Sequence, residues 1–181
     1  MQDKIEAADD WPQADEATAS RRYVLTGAAG LAASVSVATP VLAQSATPPD
    51  LRFFNPDTLS KPLGQYSHMT RVKASEFLFI AGQVAVDTSG APIGVDDFDA
   101  QCVQAFANIE AALKSAGAGF SNVVEFTTYL VHSQDIPKFM KFRLREFPKM
   151  FAGGYPPNTL VVIDRLVSEA FLIEVQTVAA L

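Results

Sequence analysis

Cysteine and histidine are scarce in this chain of 181 residues, which has one cysteine, Cys102, and two histidines, His68 and His132. A single cysteine excludes an intramolecular disulfide, and one cysteine with two histidines cannot complete a Cys/His zinc cluster. The two histidines do not stand at the spacing of a metal-binding pair. We therefore expect no metal site, and we expect Cys102 to be a buried structural thiol rather than a redox group.

Basic residues are also few, with 14 Lys and Arg against 20 Asp and Glu, for a net charge of −6. Proteins that bind phosphate backbones do so through clustered Lys and Arg, so nucleic acid is not an expected partner. The sequence also lacks the Gly-rich loops of P-loop and Rossmann proteins and the Gly-x-Ser-x-Gly elbow of many hydrolases. These absences exclude the common nucleotide-dependent classes, and we expect no cofactor.

The N-terminal segment has the pattern of an export signal. Arg21 and Arg22 precede an uncharged, Ala/Gly-rich stretch over 24–42, and small residues around Ala43 suit a processing site. This resembles a twin-arginine signal. A permanent membrane anchor is the alternative, but the stretch contains Pro40 and is only modestly hydrophobic. We predict a cleaved signal over 1–43, a linker over 44–50, export to the periplasm and no stable membrane anchor.

The rest of the chain, 51–181, is expected to be one folded domain, because 49% of the whole sequence is hydrophobic and 10% is aromatic. The clearest helix is predicted over 96–116, where Cys102, Phe106, Ile109 and Leu113 share one face. Strand-like and helical runs alternate around it as β-β-β-α-β-α-β-β. This order predicts an α+β fold with two helices packed on one face of a mixed sheet. The other predicted elements are strands over 51–54, 69–72, 77–81, 123–131, 159–163 and 171–178, and a second helix from Ser133 or Asp135 to about Met150, with Ile136, Met140 and Phe147 facing inward.

Few polar residues stand out as candidates for chemistry. Glu174 interrupts the apolar run of the last predicted strand, and alternation places it on the face opposite Ile173 and Val175. It lies either on a solvated face or partly buried, and partial burial would raise its pKa toward neutrality, where it can exchange protons. The remaining candidates are interpreted as structural. His68 is expected in an exposed turn, with a ligand contact as the alternative, and His132 is expected in a solvated loop.

Five segments share one resemblance: Phe77–Asp87, Ala107–Leu113, the strand from Val123 with Thr127 and Thr128, Tyr155–Thr159 and Ile173–Val175. Together, over about residues 52–180, they resemble the RidA/YjgF family. The resemblance implies a chorismate-mutase-like α+β fold and homotrimers whose sheets build a central barrel. It also implies clefts between subunits that take a small-molecule ligand. Several members of this family hydrolyse reactive enamines and imines to 2-keto acids and ammonia without a cofactor.

The resemblance also implies roles for particular residues. Tyr66 corresponds to a tyrosine that helps close the pocket, Gly82 and Gln83 to the turn that holds the substrate, and Glu174 to the acidic residue that handles water or its proton. Deaminating members carry an Arg in a Pro-x-Arg-Ser segment, and this chain has Asn158 there, followed by Thr159. An amide replaces a cation that would pair with a substrate carboxylate, so we expect carboxylate substrates to bind less well.

A second departure is Met140, where deaminating members often have an Asn facing the cleft. Arg143 or Arg145 could supply the missing cation, but on a helix surface we expect both to be solvated. Two functions remain open: an enzyme acting on an imine, an enamine or a related non-carboxylate substrate, and a trimer that binds a metabolite or a protein without catalysis. The acidic composition disfavours the endoribonuclease activity that some relatives are credited with. We expect Glu174 to face an inter-subunit cleft, with Asn158 and Gly82 close by.

Overall fold

The computed structural model describes residues 48–181, so the predicted signal and most of the predicted linker lie outside the described residues. No helix within 48–181 combines the length and apolarity needed to cross a membrane. The order of elements is the one predicted from the sequence. The strands are β1 (Asp50–Phe54), β2 (Met69–Lys73), β3 (Phe77–Gln83), β4 (Val123–Leu130), β5 (Asn158–Val162) and β6 (Ile173–Ala180), and the helices are α1 (Phe98–Ser115) and α2 (Ile136–Met150).

The strands form two sheets. β1 and β2 make an antiparallel pair, and the larger sheet has the order β3-β6-β4-β5, in which β4 and β5 are parallel and the other pairs are antiparallel. The hydroxyl of Thr70 on β2 donates a hydrogen bond of 3.0 Å to the carbonyl of Val124 on β4, which links the two sheets. The larger sheet is mixed, as the predicted fold class requires.

Helix α1 has residues at both ends that suit the start and the stop of a helix. The Asp97 carboxylate accepts hydrogen bonds from the N–H groups of Asp99 and Ala100, which satisfies donors that the first turn leaves free. Beyond the helix end, Gly117 takes a φ of +72°, a left-handed conformation that suits glycine. The predicted apolar face of α1, Cys102 included, is buried in the core.

The core lies between the two helices and one face of the larger sheet. It is rich in phenylalanine because residues of this type on α1, β4 and α2 meet there, with ring centroids 5.2–6.5 Å apart. The core rings are Phe106, Phe126, Phe142 and Phe147.

Residues of β4 and β6 alternate between the buried face of the sheet, which we call the helix face, and the opposite face, which we call the open face.

Candidate functional site

Glu174 lies on the open face of the larger sheet. Its neighbours along β6, Ile173 and Val175, are fully buried on the helix face, and its partner across β4 is Tyr129. The side chain of Glu174 is partly buried, and this desolvation raises the pKa of its carboxyl. None of the ion pairs within residues 48–181 involves Glu174. The structure thus presents a partly desolvated carboxylate with no cation beside it.

A bulge in β3 makes room for that carboxylate. Ile80 pairs with Thr177 and Gln83 pairs with Val175, so Ala81 and Gly82 together face one residue of β6. The Glu174 carboxylate lies so close to the Cα of Gly82 that a Cβ there would overlap it. The absence of a side chain at Gly82 therefore leaves the space that the carboxylate occupies.

Gln83 supports the bulge from within β3. Its side-chain amide donates hydrogen bonds of 3.0 and 3.4 Å to the carbonyls of Ala81 and Gly82. Thr159, by contrast, is exposed on β5, where it pairs with Thr127 of the open face. The structure therefore brings Gly82, Gln83 and Glu174 together and places Thr159 on the same face, two strands away from Glu174.

Asn158 points to the other side of the sheet. Its amide nitrogen donates a hydrogen bond of 2.8 Å to the hydroxyl of Thr128, which is fully buried on the helix face. Its amide oxygen accepts a hydrogen bond of 3.3 Å from Nη1 of Arg143 on α2. Because Asn158 and Glu174 point to opposite faces and β4 separates their strands, β5 and β6, the two side chains do not meet within one subunit.

Arg143 is the residue that the sequence interpretation misplaced. The expectation that it is solvated is wrong, since only 1% of the residue is exposed. The buried residues Phe139, Phe142 and Phe147 define the inner face of α2, and position 143 falls on that face by helical spacing. That spacing is the signal in the sequence that would have identified it. Arg145, expected to be solvated, is exposed and pairs with Asp99 and Glu146.

The guanidinium of Arg143 sits among aromatic rings. Its central carbon lies 4.9, 5.6 and 5.7 Å from the ring centroids of Phe147, Phe139 and Tyr66, distances at which a cation interacts with a ring face. Nη2 also donates a hydrogen bond to the carbonyl of Gln65. Burial lowers the pKa of the Arg143 guanidinium to about 10, so the side chain is still charged at neutral pH.

Tyr66 contacts this cation and also lines a surface cleft. The cleft has a volume of about 620 Å³ and is lined by residues of the 55–66 segment, Tyr66 and Gly64 among them. Met140 packs next to this segment: its sulfur would lie 3.5 Å from a Cβ placed on Gly64. The ring of His68 meets Tyr66 edge-on, and its Nε2 hydrogen bonds the Ser60 carbonyl at 2.7 Å. His68 thus helps to shape the segment that lines the cleft.

The structure therefore divides the predicted site residues into two groups. The open-face group is Gly82, Gln83 and Glu174, with Thr159 on the same face. The second group is Asn158, on the helix face, and Tyr66, both in contact with Arg143. The first group offers a partly desolvated carboxylate, and the second offers a cation, an amide and a phenol that lines a cleft.

Comparison with known proteins places this fold and these residues in a family. Residues 58–181 match the family described as Endoribonuclease L-PSP. A RutC family protein of Pyrococcus horikoshii is 34% identical over 119 residues, which cover 66% of this chain and 89% of that protein. A second RutC family protein, from Synechocystis, is 32% identical over 121 residues and 88% of its length.

Solved structures agree with the sequence matches. A protein of unknown function from the conserved Rid family of Yersinia pestis superposes with a TM-score of 0.65 at 32% identity, over 72% of this chain and 98% of that one. RidA from an Antarctic Psychrobacter shares the fold, with a TM-score of 0.52 at 24% identity, over 72% of this chain and 99% of that one. The chain is an α+β protein of the chorismate-mutase-like type. It belongs to the RidA/YjgF family, as its motifs predict.

Proposed function

We propose that this protein hydrolyses small imines or enamines without a cofactor, and that Glu174 moves the protons. The observation that carries the proposal is the partly desolvated carboxylate of Glu174, held against the Cα of Gly82 with its pKa raised. A carboxyl group whose pKa lies closer to neutrality both accepts and returns a proton at the pH where the enzyme works. Membership of the RidA/YjgF family supports the choice of reaction.

The reaction needs two proton transfers and one bond cleavage. The Glu174 carboxylate accepts a proton from a water molecule as the water oxygen bonds to the imine carbon, and it returns this proton to the substrate nitrogen, which gives a carbinolamine. The carboxylate then accepts the hydroxyl proton of the carbinolamine and passes it to the amino nitrogen as the carbon–nitrogen bond breaks, and a ketone and ammonia leave. Water and imine are consumed in equal amounts, and Glu174 ends in its starting state. An enamine enters the same sequence after its carbon takes up a proton to give the imine.

We propose that the complete site lies between subunits of a homotrimer, as the family resemblance implies. One subunit holds Glu174 on the open face and Asn158 on the helix face, so a ligand that contacts both must lie between copies. The open face also carries exposed apolar side chains, including Phe79, which is 80% exposed, and Phe77. A neighbouring copy would cover this surface, and a solution mass of three chains would support the arrangement.

The experiment that tests the proposed reaction follows an imine made in place. An amino-acid oxidase generates the imine, semicarbazide traps what remains, and the full chain is compared with its Glu174→Gln variant. We expect the unchanged protein to accelerate loss of imine and the variant to lose at least 100-fold of that acceleration. Glu125→Gln is the matched control, because Glu125 is an exposed carboxylate on the open face of β4. Equal rates for the Glu174→Gln and unchanged proteins would contradict the proposal.

A second candidate is a trimer that binds a metabolite without converting it. The observation that favours it is the amide of Asn158, whose oxygen and nitrogen are already bonded to Arg143 and Thr128. An amide held in this way is less free to follow a reacting substrate. In the imine experiment, no acceleration by the unchanged protein, together with ligand binding, would favour this candidate.

We also propose that the mature protein works outside the cytoplasm. Arg21 and Arg22 and the uncharged stretch up to Ala43 support export by the twin-arginine route. The mature chain would then begin near residue 44, and the N-terminal sequence of protein recovered from the periplasm would test this.

A further inference from the structure

Two arginines stand side by side on the two-stranded sheet. Arg52 on β1 pairs directly with Arg71 on β2, and both residues are exposed. Side chains at directly opposite positions share one face of a sheet, with Cβ atoms roughly 5 Å apart, and like charges in this arrangement destabilise the pair. Neither arginine forms an ion pair with a residue of the described chain, 48–181. The fold thus holds two positive charges together without supplying an anion for them.

The other residues of this face do not neutralise the two arginines. Asp50 and Lys73 oppose each other at one end of the strands, so the charge of the carboxylate is offset by that of the lysine. At the other end Phe54 opposes Met69, and neither carries a charge. The positive charge of the arginines therefore remains available to a ligand.

Both arginines line one pocket. The pocket has a volume of about 270 Å³, and its other lining residues are Phe53 and Phe54. Pockets for drug-sized ligands have volumes of roughly 300–1,000 Å³, so this one suits a small ligand. The central guanidinium carbon of Arg71 lies 5.9 Å from the ring centroid of Phe54, a distance at which the ring attracts the cation and helps to orient it. None of these four residues belongs to the candidate site described above.

We propose that Arg52 and Arg71 form a binding site for a small phosphate monoester. At neutral pH a phosphate group carries between one and a half and two negative charges, and its oxygens accept paired hydrogen bonds from guanidinium groups. Two arginines therefore match a phosphate in charge and in donors, whereas a carboxylate would leave one arginine without a partner. The bound phosphate would also remove the repulsion between the two cations.

The organic part of the ligand is inferred from the pocket walls. The rings of Phe53 and Phe54 offer apolar surface next to the arginines, and an apolar group attached to the phosphate would gain free energy by covering it. A long polyanion is a poor match, because it needs an extended basic surface and the chain has a net charge of −6. A small ester thus fits better than either inorganic phosphate or nucleic acid.

The experiment is a calorimetric titration of the full chain with phenyl phosphate, inorganic phosphate and benzoate, at constant ionic strength and above the second phosphate pKa of about 6. We expect phenyl phosphate to have the lowest Kd, inorganic phosphate a Kd several-fold higher, and benzoate a Kd at least tenfold higher. Arg52→Gln and Arg71→Gln should each raise the Kd for phenyl phosphate at least tenfold. Arg165→Gln is the matched control, because Arg165 is exposed and lines a different cleft, and it should leave this Kd unchanged.

Two further measurements separate binding from a structural role of the arginines. Without ligand, Arg71→Gln should not lower the Tm, because it removes a repulsion between like charges. Phenyl phosphate should raise the Tm of the unchanged protein and leave that of Arg71→Gln unchanged. Arg71→Lys keeps the charge but loses the paired donors, and it carries the test if the glutamine variant fails to fold. We expect its Kd to lie between those of the unchanged protein and Arg71→Gln.

Three results would overturn the proposal. The first is a Kd for benzoate or for inorganic phosphate equal to that for phenyl phosphate, and the second is an unchanged Kd in either glutamine variant. The third is a lower solution mass in Arg52→Gln or Arg71→Gln, which would mean that the arginines contact a neighbouring subunit instead of a ligand. Glu174→Gln should bind phenyl phosphate as the unchanged protein does, so this inference can fail or succeed independently of the proposed reaction.

Discussion

The two faces of the larger sheet differ in how each holds a charged side chain. On the open face, Glu174 is partly exposed and has no hydrogen-bonding cation, and its conformation depends on empty space at Gly82. On the helix face, Arg143 is buried, and its conformation depends on bonds to Asn158 and the Gln65 carbonyl. One fold thus accommodates a charged side chain without an ion pair in two ways: it leaves space beside the side chain, or it fixes the side chain with hydrogen bonds. The first arrangement suits a group that must exchange protons, and the second suits a group that must stay in place.

Loss of the hydrogen bond between Arg143 and Asn158 should have the largest effect on stability. Asn158→Leu removes the acceptor of Nη1 and the donor to Thr128, and it leaves two buried polar groups without partners. We expect it to lower the free energy of unfolding by about 2–4 kcal/mol, measured by urea denaturation at fixed protein concentration. Thr159→Val, at the next position but exposed, should change it by less than about 0.5 kcal/mol.

A double-mutant cycle sharpens this result. If Arg143 and Asn158 are coupled, adding Arg143→Met to Asn158→Leu should cost less than the sum of the separate effects, because neither group is then left without the other. Strictly additive free energies would show that the two side chains do not stabilise each other, and the contrast between the faces would lose its basis.

The space at Gly82 should matter for activity much more than for stability. In Gly82→Ala the new methyl group overlaps the Glu174 carboxylate, and because that carboxylate is the end of a flexible side chain, it can rotate away. We expect hydrolysis of the imine to fall nearly to the level of Glu174→Gln, while the free energy of unfolding changes by about 1 kcal/mol or less.

A matched glycine provides the control for this substitution. Gly119 has extended backbone dihedral angles and open space around its Cα, so Gly119→Ala should alter neither activity nor stability noticeably. Full activity in Gly82→Ala would mean that the position of the Glu174 carboxylate has no part in the reaction.

The fold was predictable from the sequence because its signals are local. The four-residue and three-residue steps from Cys102 to Leu113 predict the buried face of α1. The alternation of strand-like and helical runs predicts the order of the elements.

The arrangement of the site was less accessible because it depends on contacts between distant segments. That Arg143 bonds Asn158, 15 residues later, follows from how α2 packs on β5, and no local pattern encodes it. The bulge that seats Glu174 depends on how β3 pairs with β6, although a glycine within a strand is a known sign of a bulge. Strand alternation thus identified Glu174 as a candidate and the family resemblance identified Gly82, while their contact required the sheet.

The smallest expected effect concerns the pH dependence of stability at Glu174. Burial raises the pKa of this carboxyl above its ordinary value of 4.5, so the folded protein holds the proton to higher pH than the unfolded chain. The favourable contribution is complete below the unfolded pKa and is lost as pH rises through the folded pKa. The glutamine in Glu174→Gln cannot ionise. The Tm of this variant minus the Tm of the unchanged protein should therefore increase as pH rises from about 4 toward neutrality.

The gain should be small because Glu174 is only partly buried and water screens its charge. Glu125→Gln, where the carboxylate is exposed on the same face, should show no such gain. A Tm difference between Glu174→Gln and the unchanged protein that stays constant over this range would mean that the carboxylate is as well solvated in the fold as in the unfolded chain. Glu174 would then be an ordinary surface carboxylate, and it would differ from Arg143 only in being exposed.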